Sequence, residues 1–128
     1  MSALSAIRQI DYSVIYARNL PAMRRFYEDV MEFPLLRELS ATWIEYRLGA
    51  TTLALTTHGG RFDDVPPPDG ALSCQLAFRV APAEVAACAK ALTEKGIEVD
   101  GPTDRDFGHR TLFFRDPDGN VLEIYAEI

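Results

Sequence analysis

Apolar residues recur along this chain at two spacings, and each switch between them marks an element boundary. β-Branched and aromatic side chains crowd residues 7–17, which predicts a strand. Leu20, Met23, Phe26, Tyr27 and Val30 follow at helical spacing and predict a helix to about Glu32 with one apolar face. Asn19 suits its N-cap, Pro21 its first turn, and Pro34 stops it. Alternation returns over residues 35–39, 42–48 and 51–57, three short strands, with Gly49 and Ala50 as a tight turn between the last two. Residues 59–70 include three consecutive prolines, Pro66 to Pro68, and read as a stiff, extended linker that cannot join a sheet ladder. The order then restarts. A strand over residues 71–80 precedes an Ala-rich helix over residues 82–95 ended by Gly96, and strands follow over residues 97–99, 111–114 and 121–126. Asp116, Pro117, Asp118, Gly119 and Asn120 join the last two as a β-hairpin. Pro117 presets φ at the first corner, Gly119 accepts a positive φ, and the two aspartates can accept local backbone N–H bonds.

Each half therefore reads as strand, helix, three strands, an internal repeat of about 60 residues. The expected fold is α+β: one domain over residues 1–128, with a first module at about 7–58, the linker at about 59–70 and a second module at about 71–127. Each helix would cover one sheet face, and the two open faces, brought together, would enclose a ligand-sized cup. Alternation assigns those faces. In residues 51–58, Leu53 and Leu55 belong against the helix, whereas Thr52, Ala54, Thr56 and His58 form a small, mildly polar surface. That surface suits a cup wall or a solvated sheet equally. Glu123 lies between Leu122 and Ile124 and shares a face with Val121 and Tyr125, so its carboxylate meets either solvent or a cavity. Tyr12 shares a face with Tyr16, Gln75 with Arg79, and Thr111 with Phe113. Trp43 suits a core, an interface or a stacking wall; His58 and His109, beside loops, suit solvent, and Arg79 suits a structural ion pair.

The chain is long enough for a sizeable core, and its 48% hydrophobic and 25% charged residues are those of an ordinary globular protein. A net charge of −6 argues against nucleic acid or an anionic membrane as partner, and permits a cationic ligand without requiring one. Cys74 and Cys88 lie in apolar stretches without C-x-x-C spacing, which predicts buried reduced thiols. No long apolar core of a signal peptide and no bilayer-length stretch is present, so a cytoplasmic protein is expected. Gly-x-Ser-x-Gly and phosphate-binding glycine loops are missing, and neither cysteine falls near a histidine in the pattern, so nucleophilic catalysis has no support.

Two stretches carry a family resemblance: residues 11–27, with Phe26 and Tyr27 on the first helix, and residues 115–123, from Arg115 through Asp116, Pro117, Asp118 and Gly119 to Glu123. They resemble the vicinal oxygen chelate superfamily, which includes glyoxalase I, extradiol dioxygenases, and fosfomycin- and bleomycin-resistance proteins. The resemblance implies paired βαβββ modules, a cup lined in part by Thr111 and Phe113, and a divalent metal. The metal-ligand positions fall on Tyr12, Ala54, Gln75 and Glu123, of which only Glu123 keeps a charged ligand. Zn, Ni or Fe wants three or four imidazole and carboxylate donors at about 2.0–2.2 Å. Alanine offers none, and a phenol must first lose a proton from a pKa near 10. No metal or other cofactor is therefore expected; an ion, if held, would rest on Gln75 and Glu123. Tyr12, Gln75 and Glu123 could instead hydrogen-bond one another across the cup.

Two functions follow from the resemblance. The first is a binding protein sequestering a small aromatic or cationic compound, as the bleomycin-resistance branch does. Its cup would be lined by Tyr12, Tyr16, Trp43, Ala54, Thr56, Gln75, Arg79, Thr111, Phe113, Glu123 and Tyr125. The second is a glyoxalase-type lyase or isomerase, or a dioxygenase. It would use a metal held by Glu123 and Gln75 or metal-free acid–base catalysis by Glu123 as catalytic residue. Family members commonly form homodimers with shared cups. The stiff linker resists sharp folding back and favours the same assembly here.

Overall fold

Two four-stranded sheets of identical connectivity make up the computed structural model, which describes residues 2–59, 62, 64–71 and 73–128. In the first module the strands are β1 (Tyr12–Ala17), β2 (Leu35–Ser40), β3 (Trp43–Leu48) and β4 (Thr51–Thr57), in the order β1-β4-β3-β2. In the second they are β5 (Gln75–Arg79), β6 (Asp100–Asp104), β7 (His109–Arg115) and β8 (Val121–Glu127), in the order β5-β8-β7-β6. The first strand of each sheet runs parallel to the last, and every other pairing is antiparallel. Helix α1 (Leu20–Arg25) follows β1 and helix α2 (Pro82–Glu94) follows β5. This is the α+β, paired-βαβββ architecture expected from the repeat.

Asn19 caps α1 as its side chain accepts the Ala22 N–H at 3.0 Å, and Pro21 lies in the first turn. The helix does not run regularly to Glu32. It widens into a π-turn at Phe26–Val30, which places Phe26 and Tyr27 side by side in the core, and Glu32 takes a left-handed φ of 57° before Pro34. Three strand boundaries also differ from expectation. β1 starts at Tyr12 rather than residue 7 because β4, its one partner among the described residues, starts at Thr51 and pairs Tyr12 with Thr52. β5 starts at Gln75 rather than residue 71 because β8 starts at its partner Val121; Leu72 lies outside the described residues, as do residues 60, 61 and 63 of the linker. The strand expected at residues 97–99 lies at Asp100–Asp104. Ile97 and Val99 pack on the core from the connection instead, and pairing with β7 makes a strand of residues with poor β-propensity.

One core joins both modules. Ile15, Met23, Phe26, Tyr27, Ile44 and Leu55 from the first meet Val85, Leu92, Leu112, Leu122 and Ile124 from the second. Phe26 lies 6.4 Å from Phe114, and Phe33 lies 5.5 Å from Phe78. Cys74 and Cys88 are free, half-buried rather than buried, and desolvation pushes both thiols up from their ordinary pKa.

Polar ties set the modules' relative position. The β7–β8 turn closes with the Gly119 N–H donating to Asp116 O at 2.9 Å, and Gly119 takes a φ of 87°. The Asp116 carboxylate accepts the N–H groups of Asp118 and Asn120, as expected, and also the Tyr27 hydroxyl of the first module at 2.8 Å. Asp118 makes no such local bond. Its carboxylate accepts the Arg18 N–H at 2.7 Å, while the Arg18 guanidinium donates to the carbonyls of Asp118, Pro67 and Pro68. Lys95, just past α2, donates to the carbonyls of Asp29 and Val30 where the π-turn ends. The modules thus meet through their helix-covered sides. Among the described residues, no strand of one sheet pairs with a strand of the other.

Candidate functional site on the two open sheet faces

Side chains of laterally paired residues share a face, so the pairing registers give the open faces rank by rank. In the first module the ranks are Tyr12–Thr52–Arg47, Val14–Ala54–Glu45–Arg37 and Tyr16–Thr56–Trp43. In the second they are Gln75–Val121–Arg115, Ala77–Glu123–Phe113–Asp100 and Arg79–Tyr125–Thr111. Position for position, Tyr12 corresponds to Gln75, Ala54 to Glu123, Thr56 to Tyr125, Trp43 to Thr111 and Tyr16 to Arg79. The structure thus puts Tyr12, Tyr16, Trp43, Ala54 and Thr56 on one open face. It puts Gln75, Arg79, Thr111, Phe113, Glu123 and Tyr125 on the other. Tyr12 is 53% and Tyr16 46% exposed, so no element of the described chain closes over them. Mutual hydrogen bonds among Tyr12, Gln75 and Glu123 are not made within one chain. The first is on a different sheet from the others, and Gln75 sits a rank away from Glu123.

The first face holds a residue that the sequence reading missed. Glu45 pairs laterally with Ala54 and is only 7% exposed. Its carboxylate accepts the Trp43 indole N–H at 2.7 Å and the Arg37 Nε–H at 2.9 Å. Those bonds, the indole first, hold its carboxyl below the usual range, so it is ionised and neutralised in place. Trp43 is thereby fixed, with its ring edge-on to Tyr12 at 6.2 Å. A groove of about 540 Å³ opens beside them, lined by Tyr12, Arg37, Trp43, Glu45, Arg47 and Thr52 among others. The signal for Glu45 was available: it stands between Ile44 and Tyr46, as Glu123 stands between Leu122 and Ile124.

On the second face Glu123 is half-buried, opposite Phe113, and has no hydrogen-bond or ion-pair partner among the described residues. Tyr125 stacks on His109 with centroids 4.9 Å apart, and Tyr16 and His58 lie 5.8 Å apart on the first face. Both histidines, expected in solvent, are therefore half-buried against tyrosines. Arg79 forms the expected structural ion pair, with Glu127 at 3.0 Å. Thr111 is buried rather than lining open space, because Arg105 lies over it and donates from Nε at 2.9 Å.

The donors present do not fit a divalent ion. Ala54 has no donor atom, Tyr12 is a phenol, Gln75 an amide, and both oxygens of Glu45 already accept hydrogen bonds. Among the described residues, no three His, Cys, Asp or Glu side chains cluster as ligands. No helix among them is long and apolar enough to cross a membrane.

The fold is a paired-βαβββ architecture with two open sheet faces that carry aromatic side chains. The sequence profile of the Glyoxalase/Bleomycin resistance protein/Dioxygenase superfamily matches residues 9–124, and the chain belongs to that family. No curated protein sequence matches it significantly. Among solved structures it is similar to TnmS3, an antibiotic-binding protein from Streptomyces sp. CB03234, at 28% identity and a TM-score of 0.75, covering 96% of this chain and 98% of that one. It shares its fold with a glyoxalase/bleomycin resistance protein/dioxygenase from Nocardioides, at 20% identity, a TM-score of 0.81, and 95% and 85% coverage. The same holds for the lactoylglutathione lyase of Agrobacterium tumefaciens, at 24% identity, a TM-score of 0.75, and 92% coverage of each chain.

Proposed function

We propose that this chain is a cytoplasmic small-molecule-binding protein that works without a metal and takes a planar aromatic ligand, cationic groups being received by Glu123. The observation that carries this reading is the make-up of the open faces. Tyr12, Tyr16, Trp43, Phe113 and Tyr125 provide aromatic walls, and Glu123 is the one family ligand position that keeps its charge while lacking a partner among the described residues. The similarity to an antibiotic-binding protein supports it. Trp43 is the only tryptophan, so its fluorescence reports on the first face directly.

In the same reading the protein is a homodimer in which the first face of one copy closes on the second face of the other. Among the described residues the outer edges of β1 and β5 have no strand partner, and Tyr12 and Tyr16 of β1, with Ile7 and Ile10 just before it, are exposed. Mixing a Glu123→Ala chain with a Tyr12→Ala chain tests this. Heterodimers would hold one intact and one doubly damaged cup, so probe binding returns in part. A monomer at micromolar concentration, or no recovery despite subunit exchange, refutes it. The second reading, metal-free acid–base catalysis, has the unpartnered Glu123 carboxylate in its favour. Isomerase or lyase turnover lost in Glu123→Gln, with ligand binding retained, would favour it over simple sequestration.

A further inference from the structure

We infer that Arg105 is an anion anchor on the second open face, and that the ligand carries a planar oxyanion, a carboxylate, beside its aromatic body. The inference rests on the reading of the open faces as ligand walls and adds the chemistry of one ligand group.

Arg105 follows β6, and its backbone N–H donates to His109 O at 2.7 Å across the turn into β7. That bond brings its side chain back over the sheet. Its Nε–H donates to Thr111 Oγ1 at 2.9 Å, and the same hydroxyl lies 3.4 Å from Thr103 O. Thr111 is 2% exposed, so this contact is shielded from water. A guanidinium held at Nε has its plane fixed, leaving the two terminal nitrogens as a fork suited to bidentate binding of a carboxylate. Neither terminal nitrogen has a partner among the described residues. The other arginines of the module are engaged: Arg79 with Glu127, Arg110 with Asp104, and Arg115 with Gly119 O.

The surroundings say what the anion is attached to. Thr111 pairs laterally with Tyr125, and Tyr125 stacks on His109, which lies 5.1 Å from Phe107. Thr111, which holds Arg105, is thus the lateral neighbour of a ring of that stack. Glu123, one rank away, is not within ion-pair distance of Arg105. Each therefore remains available for a ligand group of opposite charge.

The test uses the full chain and three probes of one shape: 2-naphthoate, 2-naphthamide and 2-naphthylmethylammonium, titrated by Trp43 fluorescence and calorimetry. Wild-type protein should bind the naphthoate about ten- to a hundred-fold more tightly than the naphthamide, as a charge-assisted pair lost from a half-buried site implies. Arg105→Gln should abolish that preference, weakening naphthoate about ten- to a hundred-fold and naphthamide far less. Arg105→Lys keeps the charge without the fork and should fall between. Thr111→Val, which frees the guanidinium, should weaken the preference several-fold. Equal affinity for naphthoate and naphthamide overturns the anion anchor while leaving the ligand-binding reading intact. Equal loss of both in a folded Arg105→Gln chain assigns Arg105 a structural role and overturns the inference. Binding of none of the three overturns the anchor and the proposed function together.

Discussion

Replacing Asp116 with alanine should be the most damaging single change outside the apolar core. Asp116 is 5% exposed and accepts four hydrogen bonds: from Tyr27 Oη at 2.8 Å, Asn120 Nδ2 at 2.9 Å, and the backbone N–H groups of Asp118 and Asn120 at 3.0 Å each. Tyr27 and Asn120 are themselves 0% and 1% exposed, so their donors have no water to turn to. Burial, with the charge of Asp116 beside it, pushes the Tyr27 phenol far above its ordinary value, so it remains a donor at any working pH. A buried donor left unsatisfied costs about 1–3 kcal/mol, and a water entering the vacated space recovers part of that. Asp116→Ala should therefore cost about 3–5 kcal/mol, a large fraction of the roughly 5–15 kcal/mol that holds an ordinary domain folded. Tyr27→Phe should cost about 1–2 kcal/mol because Asp116 keeps three donors. The double variant should cost less than the sum by about 1–2 kcal/mol, since the orphaned hydroxyl is gone. Urea denaturation followed by far-UV circular dichroism, at one fixed protein concentration, measures all four corners. A cost below about 1 kcal/mol for Asp116→Ala, or strict additivity, would refute the clasp between modules.

Three further outcomes are expected. Gly101→Ala should cost about 2–4 kcal/mol in the same denaturation assay, because the residue has a φ of +117° and a Cβ there would meet Thr111 O at 2.6 Å. Glu45 has a depressed carboxyl pKa, so its pairing stabilises the fold fully above the ordinary carboxylate value of about 4.3, and the benefit is lost as pH falls through the lower folded value. Urea midpoints of wild type and Glu45→Gln should thus differ at pH 7 and converge towards pH 3; a gap that widens on acidification contradicts the pairing. Tyr12→His, Ala54→Glu and Gln75→His together should create a Ni or Zn site only when Glu45→Ala is added, because a carboxylate at Ala54 would otherwise face Glu45 across the strand pair. Titration calorimetry showing no metal affinity in the folded fourfold variant would mean that these positions do not converge.

The paired modules were legible because hydrophobic period changes with element type, and because Pro117 and Gly119 mark a turn by local chemistry, although the ties of Asp116 to Tyr27 and of Asp118 to Arg18 were not legible. β6 was not legible, since Asp100, Gly101 and Pro102 become a strand only through β7. The start of β1 escaped for a related reason: residues 7–10 have strand-like side chains but fall beyond the start of β4 and have nothing in it to pair with. On the faces, alternation assigned Tyr12, Tyr16, Gln75, Arg79 and Tyr125 to their sides without help. Glu45 and Arg105 escaped for different reasons. The first sat in a strand read for Trp43, and the second is in a turn, where no period says which way a side chain goes.

The central functional property is ligand binding by the two faces without a metal. The direct measurement is metal analysis of untagged protein, followed by 2-naphthoate titration before and after chelation and with Ni, Zn, Mn or Fe(II) restored. Metal should be substoichiometric, and one saturable affinity, read by Trp43, should be unchanged by chelation or by added ion. Stoichiometric, tightly held metal lost in Glu123→Ala, with binding that disappears on chelation and returns with the ion, would contradict metal-free binding.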